Sequence, residues 1–287
     1  MADAAASIRI VSVLGAGTMG HGIAHAALAA GYVVRLYDVD APGLAKGTAG
    51  IEQILRKGVE LGKIAQGELD AIHVRLAATT DLQTALADAD LVIEAAPERI
   101  DLKLALFAEI ERFVPPKAII ASNTSALSIT EMAATLTNPS RVAGMHFFNP
   151  VHKMKLVEIV QALESSPETL RILESVSHAM GKETVLVRES PGFITTRVNA
   201  SIGNEAFYML MEGVASARDI DKALKLGLNH PMGPFELVDL VGLDTRLSIL
   251  EYLHRSMGEK YRPCPLLVQY VKAGRLGRKA GKGVYEY

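Results

Sequence analysis

Short apolar runs alternate with longer segments of helical periodicity over the first two-thirds of the chain. Ile8–Leu14 reads as a buried strand, the alanine-rich stretch Met19–Ala30 as a helix that stops at Gly31, and Tyr32–Tyr37 as a second strand. From Ala41 to Asp70 the pattern is helical and more polar. The rhythm then resumes with a strand at Leu91–Ala95, a helix at Asp101–Phe113, a strand at Ala118–Ala121, a helix beginning near Ser128 and a strand at Val142–Phe148. Ser128 and Glu131 have the spacing of a capping box. This alternation predicts an α/β fold with a doubly wound sheet. Glu183–Val187 reads as a last strand and Glu189-Ser190-Pro191-Gly192 as a hinge. Beyond it Phe193, Val198, Ile202, Ala206, Met209 and Leu210 recur at helical spacing, which predicts a smaller, all-helical domain. The expected division is 1–188 and 189–287. The apolar face near Ile202 suits either an intrachain core or a homodimer interface, and the sequence does not separate the two.

In a doubly wound sheet, ligands sit beyond the carboxyl ends of the strands, so polar residues just after each strand are the candidates for chemistry. The first strand runs directly into Gly15-Ala16-Gly17-Thr18-Met19-Gly20, and the second ends at Asp38. Gly15 permits a tight turn, Gly17 lets the backbone approach a pyrophosphate, and Gly20 lets helix and strand pack closely. The helix start then offers free N–H groups to the phosphates. Asp38 can accept from both ribose hydroxyls and would repel a 2′-phosphate, so NAD is expected rather than NADP. Glu98, Lys103, Ser122, Asn123, Thr124, Ser125 and His146 also follow strand ends.

The stretch from Val142 to Gln161 concentrates chemistry. His146 closes one apolar run, Asn149-Pro150 signals a turn, and a second apolar run holds one carboxylate, Glu158. Chain reversal after Asn-Pro would centre the pair on His152 and set His146 opposite Glu158 on paired strands. A carboxylate that fixes the tautomer of a histidine suits a general base near neutral pH. A core histidine with a hydrogen-bonded partner would carry the same pattern.

Composition narrows the partners. The chain has 287 residues, 49% hydrophobic and 22% charged, with a net charge of −2, so nothing draws it as a whole to nucleic acid. No apolar run approaches the ~20 residues of a membrane span. Cys264 is the only cysteine, which excludes an intrachain disulfide and a cysteine-based zinc site and fits a reducing, cytoplasmic setting. Arg56, Lys57 and Lys63 form a basic cluster that reads either as a solvated helix face or as a handle for an anionic substrate. His21 and His25 lie four apart on the first helix, but with no third ligand no metal is expected.

Seven motifs occur in one order across nearly the whole chain: G-A-G-T-M-G at 15–20, A-S-N-T-S at 121–125, H-F-F-N-P at 146–150, S-P-G-F at 190–193, N-E-A at 204–206, H-P-M-G-P-F-E-L at 230–237 and G-R-K-A-G-K-G at 277–283. In this the chain resembles the L-3-hydroxyacyl-CoA dehydrogenase family, and its compact length is similar to that of the bacterial 3-hydroxybutyryl-CoA dehydrogenases. The resemblance implies a Rossmann-type NAD domain, an acyl-CoA substrate and a homodimer. It implies that His146 removes the proton from the substrate 3-hydroxyl while the C3 hydride passes to NAD. Glu158 would orient His146, and Ser125 would hydrogen-bond the reacting oxygen and touch the nicotinamide side. Glu98 and Lys103 would lie near the nicotinamide and its ribose, Asn149 beside the cofactor, and Lys279 close enough to complete the cofactor pocket. Arg56, Lys57 and Lys63 would lie toward the CoA phosphates, where charge-assisted donors are needed.

One position departs from the family pattern. The family reads P-G-F-x-x-N-R at the hinge, with the asparagine amide donating to the substrate oxygen, whereas here Thr196 stands at that place. A threonine hydroxyl can donate one hydrogen bond, with a reach shorter by about one heavy atom. Thr196 is therefore expected to keep a donor role with altered geometry. A related dehydrogenase acting on a free acid, and a non-catalytic relative of the same fold, are the competing readings.

Overall fold

The computed structural model describes residues 8–62 and 64–287, which form two compact units divided between Glu189 and Ser190. The first begins with β1 (Ile10–Leu14), α1 (Thr18–Ala29), β2 (Val33–Tyr37), α2 (Ala41–Glu60), α3 (Gln66–Val74), β3 (Leu76–Thr79) and α4 (Leu82–Leu86). It continues with β4 (Leu91–Glu94), α5 (Ile100–Phe113), β5 (Ile119–Ser122), α6 (Ile129–Ala133), β6 (Val142–Phe147), β7 (Leu156–Gln161), α7 (Pro167–Ala179) and β8 (Glu183–Arg188).

Among the described residues, eight strands make one sheet in the order β3-β2-β1-β4-β5-β6-β7-β8. Neighbours are parallel except β6 and β7, which run antiparallel. The strand order reverses beside β1, between β2 and β4, and a doubly wound sheet opens its ligand crevice there. The central strands β4, β5 and β6 are buried along their whole length, as continuous apolar runs require. β3 has no such run: its Leu-Ala-Ala-Thr is half-exposed at the sheet edge, and the apolar pattern does not announce it.

Local sequence explains how the elements start. Asp40 caps α2 by accepting from Gly43 N at 2.8 Å, with a proline in the first turn. Ser128 caps α6 through Glu131 N at 3.1 Å, while its own hydroxyl donates to Glu189 at 2.5 Å. Glu189 also accepts from Thr130 N and Oγ1, so the last residue of the first unit is tied to the start of α6.

The second unit is helical: α8 (Thr195–Met211), α9 (Ala217–Gly227), α10 (Pro234–Val241), α11 (Leu243–Met257) and α12 (Pro265–Lys272). Phe207 meets Phe235 edge to face at 5.2 Å within its core. The glycine-rich tail, which reads from sequence as a loop, folds into a short turn at Arg278–Ala280 flanked by bridges from Lys282 to Gly277 and Glu286. Buried Asp239 anchors it by accepting from Val284 N at 2.8 Å and Tyr285 N at 2.9 Å.

Candidate active site

The glycine loop lies at the carboxyl end of β1. Gly15 has φ +104°, and a Cβ there would stand 2.6 Å from the Ala95 carbonyl oxygen. At Gly20 a Cβ would fall 1.6 Å from the Gly15 carbonyl oxygen, so α1 can pack this tightly only without a side chain. A Cβ at Gly17 would meet nothing within 4 Å, so open space lies in front of the loop where a phosphate would approach. The first turn of α1, with Thr18 and Met19, carries no acidic side chain to repel it.

Asp38 is braced beside the loop. Its carboxylate accepts from Ala16 N at 2.7 Å and from Asp40 N at 3.1 Å. A carboxylate offers about four lone-pair sites, so these two bonds fix it and leave capacity for a vicinal diol. The residues fit a dinucleotide: open backbone donors at a helix start, and an aimed, half-exposed carboxylate at the end of the neighbouring strand.

Beyond β4 and β5 a polar cluster supports the same crevice. Glu98 accepts from Thr124 Oγ1 at 2.6 Å and from Ser125 N at 2.8 Å, pinning the loop that carries Ser125. Lys103 falls on the core-facing stripe of α5 with Phe107 and Ile110, so its stem is buried. Its ammonium donates to Glu94 at 2.5 Å and to the Ala96 carbonyl at 3.2 Å, and it lies 3.6 Å from Glu98. Glu94 is wholly buried and also accepts from Ser122 Oγ at 2.5 Å and Ala96 N at 2.6 Å. Glu94 is hard to single out from the sequence. Its only signal is a carboxylate in the last place of an apolar strand, a position that a buried cation and hydrogen-bond donors make tolerable.

The fold-back at Asn149-Pro150 puts His146 directly opposite Glu158 on β6 and β7. His146 Nδ1 lies 2.7 Å from Glu158 Oε2, with His146 4% and Glu158 0% exposed. Phe148 stacks at a tilt on the imidazole, 4.6 Å between centroids. Asn123 Oδ1 accepts from Phe147 N at 2.8 Å, binding the A-S-N-T-S loop to the strand that carries the histidine. Asn123 thereby holds the Ser125 and His146 segments in fixed relation, a role its place after β5 does not reveal.

Asn149, Arg56 and Lys57 line a cavity of about 1330 Å³. Arg56 pairs with Glu52 at 2.5 Å and Lys57 with Glu60 at 2.8 Å, both on exposed faces. Lys63 lies outside the described residues. Thr196 stands in the first turn of α8, and Lys279 pairs with Asp244 at 2.7 Å, both within the second unit.

Known proteins share this architecture. The family model described as 3-hydroxyacyl-CoA dehydrogenase, NAD binding domain, matches residues 10–190, and that of the C-terminal domain matches residues 192–287. A probable 3-hydroxybutyryl-CoA dehydrogenase of Bacillus subtilis is 47% identical over 98% of each chain. The 3-hydroxybutyryl-CoA dehydrogenase of Bradyrhizobium diazoefficiens is 44% identical over 99% of this chain and 97% of its own. The crystal structure of (S)-3-hydroxybutyryl-CoA dehydrogenase from Ralstonia eutropha superposes with a TM-score of 0.93 at 42% identity, covering 98% of this chain and 99% of that one. With both of its units matched along their length, the chain belongs to the 3-hydroxyacyl-CoA dehydrogenase family and is an NAD-dependent oxidoreductase.

Proposed function

We propose that the enzyme interconverts (S)-3-hydroxybutyryl-CoA and acetoacetyl-CoA, with His146 as general base and Glu158 as its orienting partner. The observation that carries this reading is the buried 2.7 Å contact between His146 Nδ1 and Glu158. A neutral imidazole that donates from Nδ1 to a carboxylate keeps its lone pair on Nε2. That nitrogen takes the proton of the 3-hydroxyl, and Glu158 then faces the imidazolium with a full negative charge. When bound, NAD supplies the acceptor for the C3 hydride.

Ser125 and Thr196 donate hydrogen bonds to the reacting oxygen, where charge develops. Gly15, Ala16, Gly17, Thr18, Met19 and Gly20 cradle the pyrophosphate, and Asp38 takes the adenine-side ribose. Glu98, Lys103, Asn149 and Lys279 complete the cofactor site, and Arg56, Lys57 and Lys63 meet the phosphates of CoA. A homodimer forms through the second unit, where Ile202 and Met209 of α8 are only half-buried. None of the described helices is long and apolar enough to cross a membrane, and we assign the enzyme to the cytoplasm.

The four-carbon assignment draws on the full-length similarity to proteins named 3-hydroxybutyryl-CoA dehydrogenases. NADH consumption with acetoacetyl-CoA, free acetoacetate and 3-ketooctanoyl-CoA tests it. The highest kcat/KM belongs to acetoacetyl-CoA; a higher value for the eight-carbon thioester overturns the chain-length assignment, and one for the free acid overturns the thioester.

A further inference from the structure

His25 is the anomaly of the large cavity beside α1. It is 9% exposed and lines the cavity wall, and neither of its ring nitrogens has a hydrogen-bond partner among the described residues. Burial, with repulsion from His152, Lys182 and His21, lowers its pKa to about 4, so the ring is uncharged at neutral pH. A neutral imidazole presents one donor and one acceptor. Leaving both unmet in a buried place costs stability, and an apolar side chain would serve better there unless a ligand meets the ring.

The cavity has a direction. The loop that leaves His146 runs beside α1: a Cβ on Gly22 would stand 2.9 Å from Val151 Cγ2, and the His152 ring meets His25 edge-on with 6.3 Å between centroids. α2 follows α1 in the same sense, since Gly47 abuts Ala16 and Gly50 abuts His21. Arg56 lies about 9 Å past Gly50 along α2, and His25 about 6 Å past His21 along α1. From the base outward the order is therefore His146, Val151 with Gly22, His152 with His25, and then Arg56 and Lys57.

Resting on the proposed role of Arg56 and Lys57 at the phosphates of CoA, we infer that His25 reads the pantetheine arm by hydrogen-bonding its secondary amide nearer the phosphates. The lengths agree. The carbonyl carbon of that amide is about five bonds, ~6 Å, from the nearer phosphorus, whereas the other amide is about nine bonds, ~11 Å, away. About 3 Å of helix axis separates His25 from Arg56, and the arginine side chain supplies the remaining reach. Ile54, at the level of His25 on the cavity wall, offers apolar contact to the methyl groups between amide and phosphate. Phosphate contacts alone serve many nucleotides; the amide contact selects the one that carries pantetheine.

The test compares acetoacetyl-pantetheine with acetoacetyl-N-acetylcysteamine, which lacks the amide in question; neither carries a phosphate. In NADH oxidation the wild type shows at least a tenfold higher kcat/KM for the pantetheine thioester. His25→Leu lowers that ratio at least fivefold, mainly through KM, while NADH affinity holds. His25→Gln, whose amide also donates and accepts, keeps the ratio within about twofold of wild type. His25→Leu also raises Tm, because it removes unpaired buried polar atoms. Should the leucine variant not fold, His25→Met carries the same comparison. A ratio within twofold of wild type in these apolar variants, or a wild-type ratio near one, overturns the proposal. An unchanged ratio in an enzyme that prefers acetoacetyl-CoA to free acetoacetate removes this inference alone. Faster turnover of free acetoacetate than of any thioester removes the acyl-CoA reading and this inference with it.

Discussion

His146 and Glu158 are direct cross-strand partners where β6 and β7 run antiparallel, 2.7 Å apart and almost without solvent contact. The parallel strands before them bring the glycine loop, the Ser125 loop and His146 to one end of the sheet, and the reversal at β7 returns a carboxylate to the histidine. Without that reversal no residue of β7 would oppose His146 at this spacing.

Glu158→Gln keeps the size and one acceptor but removes the charge that faces the imidazolium. Turnover with acetoacetyl-CoA and NADH should fall about 10²-fold, with the loss in kcat rather than in KM for NADH. Steady-state kinetics on both substrates checks the split.

Asp38→Asn retains an acceptor for Ala16 N and gives up the negative charge. The ratio of kcat/KM for NADH over NADPH should drop at least tenfold, chiefly by gain with NADPH. An unchanged ratio would remove Asp38 from ribose selection.

Thr196→Val deletes the hydroxyl at nearly constant shape, and Thr196→Asn restores the family's amide. The valine variant should lose roughly tenfold or more in kcat, and the asparagine variant should match or exceed the wild type. Full turnover in the valine variant contradicts the donor role.

His25, buried on α1 beside the large cavity, predicts an acid limit to stability. Burial lowers its pKa from 6.5 to about 4, with His152, Lys182 and His21 adding repulsion. Above pH 6.5 both folded and unfolded chains hold the ring neutral, so the fold keeps its full stability. As the pH falls from 6.5 the unfolded chain gains a proton that the folded one refuses until about pH 4. Stability therefore declines across that window by roughly 3 kcal/mol. Urea unfolding at pH 7 and 4.5 measures the decline, and His25→Gln should flatten it.

The glycine loop, Asp38 and the pairing of His146 with Glu158 were legible because each is written in local spacing: a motif between two apolar runs, and a midpoint falling on an Asn-Pro turn. The short edge strand β3 was not, since half-exposed Leu76–Thr79 carries no apolar signature. Glu94 with Lys103 was hidden for a different reason. The pair joins charged side chains on separate elements, 9 residues apart, and periodicity reports only which face of an element is apolar. Lys103 even sits on an apolar stripe, where the pattern anticipates a hydrophobic residue.

His146→Gln tests the catalytic assignment most directly, measured as single-turnover NADH oxidation by acetoacetyl-CoA beside NADH binding by fluorescence. The predicted result is a loss of about 10²–10⁴-fold in rate with NADH affinity unchanged. A rate within threefold of wild type would contradict His146 as the base.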